Sequence, residues 1–146
     1  TLKDIDSQIV ELELKGVLTR EAAAGIHKND ILLFAKSNMG RIIADAQNKK
    51  ILHREQEFMI GIRKETSEDI LIVQGAVDMY IEYEDHIVLL DFKTDRVRHI
   101  DNPEEILKDR YREQVFYYSK ALEQVTEKQV TEKYIYSFNL GKLIDV

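Results

Sequence analysis

Two runs of β-forming residues, 70–83 and 87–93 (IVLLDFK), are separated by only Glu84, Asp85 and His86, so they should fold back on each other as an antiparallel hairpin. The loop then decides which side chains meet. If Glu84 and Asp85 form it, Tyr83 faces His86, and stepping away from the turn sets Asp78 directly across from Asp91 and Ala76 across from Lys93 on one face. The opposite face pairs Val77 with Phe92, Met79 with Leu90 and Ile81 with Val88, and is uniformly apolar. A three-residue loop would break this register by sending Asp78 to the other face from Asp91.

The rest of the chain supplies one fold's worth of elements. At 146 residues it has room for a single core, with residues 1–48 reading as a helical part and 49–146 as an α/β part. Leu2, Ile5, Ile9 and Leu12 follow helical spacing and Gly16 ends the run. Thr19 then reads as an N-cap, Asn29 or Asp30 starts a further short helix, and Ser37 opens a fourth carrying Met39, Ile42, Ile43 and Ala46. Residues 51–63 form a strand before the hairpin. Beyond it, Asn102 and Pro103 start a long helix to about Val125, with Leu107, Tyr111, Val115, Tyr118 and Leu122 along one stripe. Residues 133–140 read as a returning strand, followed by a short tail. The expected order is helices, three antiparallel strands, a long helix packed on the apolar face of the sheet, and a strand.

Composition removes several function classes. There is no cysteine, which excludes disulfides, thiolate metal sites and cysteine nucleophiles and suits a reducing, cytoplasmic setting. Lys plus Arg number 21 against 27 Asp plus Glu, and a net charge of -6 argues against broad electrostatic capture of nucleic acid, so any phosphate contact has to be local. No apolar run is long enough for a membrane span. The opening TLKDIDSQIV lacks an initiator Met and a signal-type segment, and the chain is expected to be a piece of a longer protein.

The chemistry sits on the hairpin. Directly paired side chains have Cβ atoms about 4.5 to 5.5 Å apart. Two carboxylates at that range repel by about 4 kcal/mol at an effective dielectric of 20. A divalent cation with oxygen ligands offsets this, and magnesium held by one or two carboxylates while keeping waters is the usual arrangement at phosphate-transfer sites. Lys93, one step along the same face, is then placed to orient or help deprotonate an attacking water, and the constellation reads as metal-assisted phosphodiester hydrolysis. Gln114 lies within the apolar stripe of the long helix with Tyr118 at i+4, a pair that suits either an internal hydrogen bond or a clamp on a nucleic-acid backbone. The segment around Arg96, Arg98 and His99 is a local basic loop, which either steers phosphate or is simply solvated. Glu55, sharing a face with Glu57 on the first strand, is a candidate further oxygen ligand or a solvent-facing edge residue. His27, His53 and His86 show no metal spacing and are assigned no role.

These residues carry a resemblance. GAVD at Gly75 to Asp78, DFK at Asp91 to Lys93 and QVFYY at Gln114 to Tyr118 resemble the G-x-x-D, D-x-K and Q-x-x-x-Y motifs of RecB-like nucleases of the PD-(D/E)xK superfamily. The likeness is greater still to the nuclease domains of AddA-type subunits of bacterial helicase-nucleases, through REQEF, VQGAVD, DFKTDRVR, RYREQVFYYSKALE and KYIYSF. It implies a restriction-endonuclease-like α/β fold with a mixed sheet flanked by helices. It further implies Asp78 and Asp91 as metal ligands, with Phe92 lending its backbone carbonyl, Lys93 as the catalytic lysine, and Gln114, Tyr118 and Arg96 as DNA contacts. The implied cofactor is Mg2+, with Mn2+ as a substitute. The implied activity is exonucleolytic cleavage of single-stranded DNA during double-strand break repair and recombination. The implied partners are that DNA, helicase domains of the same parent chain and the other half of a heterodimer. No G-x-x-x-x-G-K-[ST] occurs, so no ATP site is expected in this stretch. The family's further metal-binding histidine, from a Gly-Thr-x-x-His segment, has no counterpart, since His27 stands in EAAAGIHKND. The chain is expected to start downstream of that element.

Overall fold

A computed structural model of the chain describes residues 1–63 and 70–146. They fall into two compact units, Thr1–Ile42 and Ile43–Val146. The first holds helices α1 (Leu2–Leu14), α2 (Arg20–Ala24), α3 (Lys28–Lys36) and the start of α4 (Asn38–Asn48). Its helix starts are chemical. Thr1 and Asp4 form a reciprocal capping box, the Thr19 hydroxyl accepts from the Ala22 N–H, and the Ser37 hydroxyl accepts from the Gly40 N–H at 3.1 Å. Ile9, Ala23 and Met39 are buried.

The second unit is built on a five-stranded mixed sheet in the order β1 (Leu52–Arg63), β2 (Ile70–Glu82), β3 (His86–Lys93), β4 (Gln129–Ser137) and β5 (Lys142–Asp145). β1, β2 and β3 run antiparallel, and β3 pairs parallel with β4 across the crossover helix α5 (Pro103–Thr126). Pro103 sits at the first turn of α5, where its missing N–H costs nothing. The sheet, the crossover and the long helix make the α/β, restriction-endonuclease-like arrangement that the motifs imply. The tail beyond Gly141 is the short edge strand β5, because Gly141 at φ +65 turns the chain tightly enough for Lys142 to pair with Ser137. No helix among the described residues is long and apolar enough to cross a membrane.

The two-residue turn is observed. Tyr83 donates to the His86 carbonyl, and Ile81 pairs with Val88 and Met79 with Leu90, as the sequence register requires. The faces, however, are not those expected. Val77 and Tyr80 both join the core with Ile87, Leu89, Val115, Leu122 and Ile135 beneath α5. In a regular strand, residues three apart point to opposite faces, so the alternation slips once between them, at Asp78. The partner strand slips at the same level. Phe58 packs into that core while His53 stacks flat on Tyr80, and between them Glu55 takes a left-handed backbone with φ 49. Both strands slip together, so their register is the same on either side, with only Glu55 and Asp78 outside the ladder.

Helix α5 packs not on the Met79, Ile81, Val88 and Leu90 face but on the face that carries Tyr80, Leu89 and Lys93. The slip at Asp78 adds Val77 to that face, while the helix is drawn to it by the contact of Gln114 with Lys93, which apolar patterning alone does not show.

The connection from β3 to α5, residues 94–102, is pinned at its buried residue, Val97. Val97 is buried with Leu107 and Ile144, and the Asn139 side-chain carbonyl accepts from the Val97 and Arg98 N–H groups at 2.9 and 3.1 Å. Asn139→Ala leaves both donors without that acceptor. It is expected to lower stability by about 1 to 3 kcal/mol, read from urea unfolding, with the loop's amide protons losing their exchange protection.

Candidate active site

The end of β3 puts Asp91 at the edge of the apolar core, with Leu90 and Phe92 on either side of it and Ile135 across the parallel pair. Asp91 is 1% exposed. Its Oδ2 stands 2.6 Å from the Lys93 ammonium, yet no donor meets that oxygen with hydrogen-bond geometry. A buried carboxylate oxygen without a hydrogen bond is uncommon enough to require an explanation. Burial pushes the Asp91 carboxyl above the ordinary carboxylate range. The close contact and charge of Lys93 pull the other way, and the charge and contact of Asp78 add to the rise.

Asp78 reaches this place through the slip. With Tyr83 and His86, Ile81 and Val88, and Met79 and Leu90 as hydrogen-bonded pairs, the next N–H due to bond β2 is that of Phe92. It goes instead to the Asp78 carboxylate, at 2.9 Å, and the backbone ladder ends at Met79 and Leu90. Asp78 is thus level with Asp91, as the register demands, but its carboxylate replaces a strand carbonyl instead of standing in a regular cross-strand pair.

Lys93 is enclosed by α5. Its ammonium donates to Gln114 Oε1 at 2.8 Å and lies 4.1 Å from the centroid of the Tyr111 ring. The other end of the Gln114 amide donates to the Tyr118 hydroxyl at 2.7 Å. Gln114 therefore makes an internal hydrogen bond, one of the two roles its position suits, and it also binds the lysine that the D-x-K motif singles out. Burial pushes the Tyr118 phenol above its ordinary value, and the Asp91 charge adds to this.

Tyr118 in turn stands edge-on to Phe58, 5.5 Å between centroids. The G-x-x-D glycine belongs to this contact. A Cβ on Gly75 would lie 3.2 Å from Phe58 and 3.4 Å from Tyr118. Gly75→Val is therefore expected to displace the Tyr118 ring and cost about 1 to 3 kcal/mol of stability, measured by thermal unfolding together with the ring resonances of Tyr118.

The remaining candidates fall out as follows. Phe92 is half-buried and stacks on Phe138, leaving its backbone beside Asp78. Arg96 is exposed on the pinned loop, with Arg98 and His99 exposed nearby. Glu55 is level with Asp78 in the β1–β2 register, but it is exposed and turned by its left-handed backbone, and the structure does not gather it with the other acids. Among the described residues no group of three His, Cys, Asp or Glu side chains gathers to hold a metal. His53 pairs with Glu82 at 3.2 Å and His86 stacks on Tyr83, both away from this site.

Sequence reasoning missed two residues. Tyr111 lies under the lysine, and its hydroxyl donates to the Asp95 carboxylate at 2.7 Å. Asp95 also receives Arg110 at 2.5 Å. Burial works to raise the Asp95 carboxyl, but the hydrogen bonds from Tyr111 and Arg110 outweigh it and hold it below the ordinary range. A signal for Tyr111 was present: it precedes Gln114 by three residues and Tyr118 by seven, one face of one helix.

A divalent cation fits the donor set. Two carboxylates of hard oxygens, one with a buried and unbonded oxygen, and a neighbouring backbone are what such an ion takes while keeping part of its water shell.

The A subunit of the ATP-dependent helicase/nuclease from Clostridium novyi (strain NT) is 35% identical over 156 residues, covering 100% of this chain. Proteins of the same name from Thermoanaerobacter sp. (strain X514) and Lachnoclostridium phytofermentans are 34% and 32% identical and cover 99% and 94% of it. Over nearly its whole length, the chain is homologous to a segment of the A subunits of ATP-dependent helicase/nucleases. It spans 12% of the length of the Clostridium novyi protein. No family model matches. The β2–β3 strand pair, the buried Asp91 and the Gln114–Lys93 contact all lie within the segment shared with these helicase/nuclease A subunits.

Proposed function

We propose that this chain is the metal-dependent deoxyribonuclease segment of an ATP-dependent helicase-nuclease, hydrolysing phosphodiester bonds of single-stranded DNA from its end during cytoplasmic repair of double-strand breaks. The observation that carries this reading is Asp91: a carboxylate closed off from solvent, with an oxygen that no hydrogen bond satisfies, beside Asp78 and a caged lysine. A structural role does not explain such a group, because a leucine there would serve the core better.

In this reading Asp78, Asp91 and the Phe92 carbonyl hold Mg2+, or Mn2+ in its place. When bound, the ion supplies a Lewis acid at the scissile phosphate. Lys93 offers its ammonium protons to the phosphate oxygens, which lowers the cost of the negative charge that accumulates as water adds to phosphorus, loses a proton to solvent, and the old P–O bond breaks with its oxygen taking a proton from solvent. Gln114 keeps the lysine from drifting onto Asp91 alone, and with Tyr118 lies where the backbone of a bound strand passes. Arg96, exposed on a pinned loop, attracts phosphate locally in a chain whose overall charge repels it. The names of the relatives support helicase domains in the same parent chain and a further subunit; in this reading that subunit completes a heterodimer, and the helicase domains use the ATP.

Calorimetry with Mg2+ and Mn2+ and cleavage of end-labelled single-stranded DNA test this together. The chain is expected to bind either ion and shorten the DNA, and Asp78→Ala and Asp91→Ala are each expected to abolish binding and lower cleavage by at least about 10³-fold. Only two carboxylates gather among the described residues, which favours one specific rival, a nuclease-like fold that binds DNA or assembles but does not cut. Metal and DNA binding without cleavage would establish that rival.

A further inference from the structure

The nuclease reading uses Asp78, Asp91, Lys93, Gln114 and Tyr118, and leaves an aromatic ring and a second ion pair directly behind the lysine without a role. An ammonium has three protons to place. Lys93 Nζ donates to Gln114 Oε1 at 2.8 Å and is ion-paired with Asp91 Oδ2 at 2.6 Å, and the Tyr111 ring lies 4.1 Å away, well within the range over which an aromatic face attracts a cation.

The ring is itself fixed. Its hydroxyl donates to both oxygens of Asp95, at 2.9 and 2.7 Å, and Asp95 is tied to Arg110 at 2.5 Å, next to Tyr111 on α5. Asp95 belongs to the loop held by Asn139, so the support runs from the β4–β5 turn through that loop to the ring. The other ends of the ring pack into both apolar clusters of this unit. A four-carbon side chain with free rotors is thus met on three sides, by a carboxylate, an amide and a ring, the last two held by hydrogen bonds of their own.

We propose that Tyr111, anchored by Asp95 and Arg110, is a positioning residue that sets where the Lys93 ammonium stands between Asp91 and Gln114. Its catalytic consequence rests on the nuclease reading, whereas its structural content does not. Without the ring, the lysine is free to leave its place between Asp91 and Gln114 and swing toward the space the ring vacates or to solvent, which displaces it from where water and phosphate need it.

The test separates these two parts. In protein carrying 13C only at lysine Cε, with Lys93→Arg used to assign the signal, ring current is expected to set the Lys93 Hε protons upfield of every other lysine. Tyr111→Leu is expected to return them to the exposed-lysine position. Asp95→Ala, which leaves the ring in the core, is expected to move them part of the way. A wild-type Lys93 signal among the exposed lysines, or one that neither variant moves, overturns the proposal; should Tyr111→Leu fail to fold, Asp95→Ala decides.

In cleavage assays, Tyr111→Leu is expected to lower kcat by about tenfold with KM little changed, and to have no further effect in a Lys93→Ala background. An equal loss in both backgrounds makes the effect merely structural and overturns the proposal. A wild-type chain that shows the upfield signal but cuts no DNA sinks the nuclease reading, and leaves the placement of Lys93 by Tyr111 standing.

Discussion

Asp91 is the constraint around which this unit is arranged. A carboxylate 1% exposed among leucine, isoleucine and valine carries a desolvation penalty of several kcal/mol, so it must either bind a proton or have a positive charge at contact distance. The chain provides Lys93 two residues on, at the shortest spacing that puts it on the same face of the same strand. A lysine that is itself mostly enclosed then needs acceptors of its own. Gln114 and the face of Tyr111 come from α5 for that purpose, and this fixes which face of the sheet the helix must cover. The polar stripe inside the helix interface follows from the charge and not the reverse.

Bringing Asp78 to the same place required a defect in the sheet. In an unbroken strand its neighbours Val77 and Met79 would share a face, and Val77 could not join Tyr80 beneath the helix. The slip at Asp78 and Glu55 lets the apolar residues on both sides of it serve the core while freeing one backbone N–H, that of Phe92, for a side chain. A left-handed non-glycine residue costs on the order of 1 kcal/mol. It is sustained because ladder pairs from Leu52 to Arg54 and from Gln56 to Arg63 hold the strand on either side.

Much of this was legible in the sequence because the informative signals are local. The two-residue turn, the hairpin register, the helix starts at Thr19, Ser37 and Pro103, and the nearness of Asp78, Asp91 and Lys93 follow from spacing over a few residues. The slip is not local. Glu55 and Asp78 look ordinary in their own strands, and only the demand of the helix on Phe58, Val77 and Tyr80 together makes alternation fail between them. The same holds for Asp95. It sits in DFKTD as a plain loop acid, and its link to Tyr111 depends on how residues 94–102 fold back across α5, which Asn139 decides from far along the chain. The edge strand β5 was missed because four residues after a glycine give too short a pattern to tell from a tail.

The balance between stability and function points the same way as the geometry. A pair such as Asp91 and Lys93 generally adds little to folding, and apolar residues of similar volume in its place are often neutral or stabilising. Here the surroundings are already apolar on the Asp91 side, with Leu89 and Leu90 before it and Ile135 across the parallel strand. Yet four further groups, the Asp78 carboxylate, the Gln114 amide, the Tyr111 ring and the Tyr118 hydroxyl, are spent on this one cluster, and one oxygen is still left unbonded. Local rules of packing are usually broken where a fold carries out chemistry. A lysine with an ion pair, an amide and a ring around it, beside a buried carboxylate oxygen that has the ion pair but no hydrogen bond, is an arrangement that serves charge and not packing.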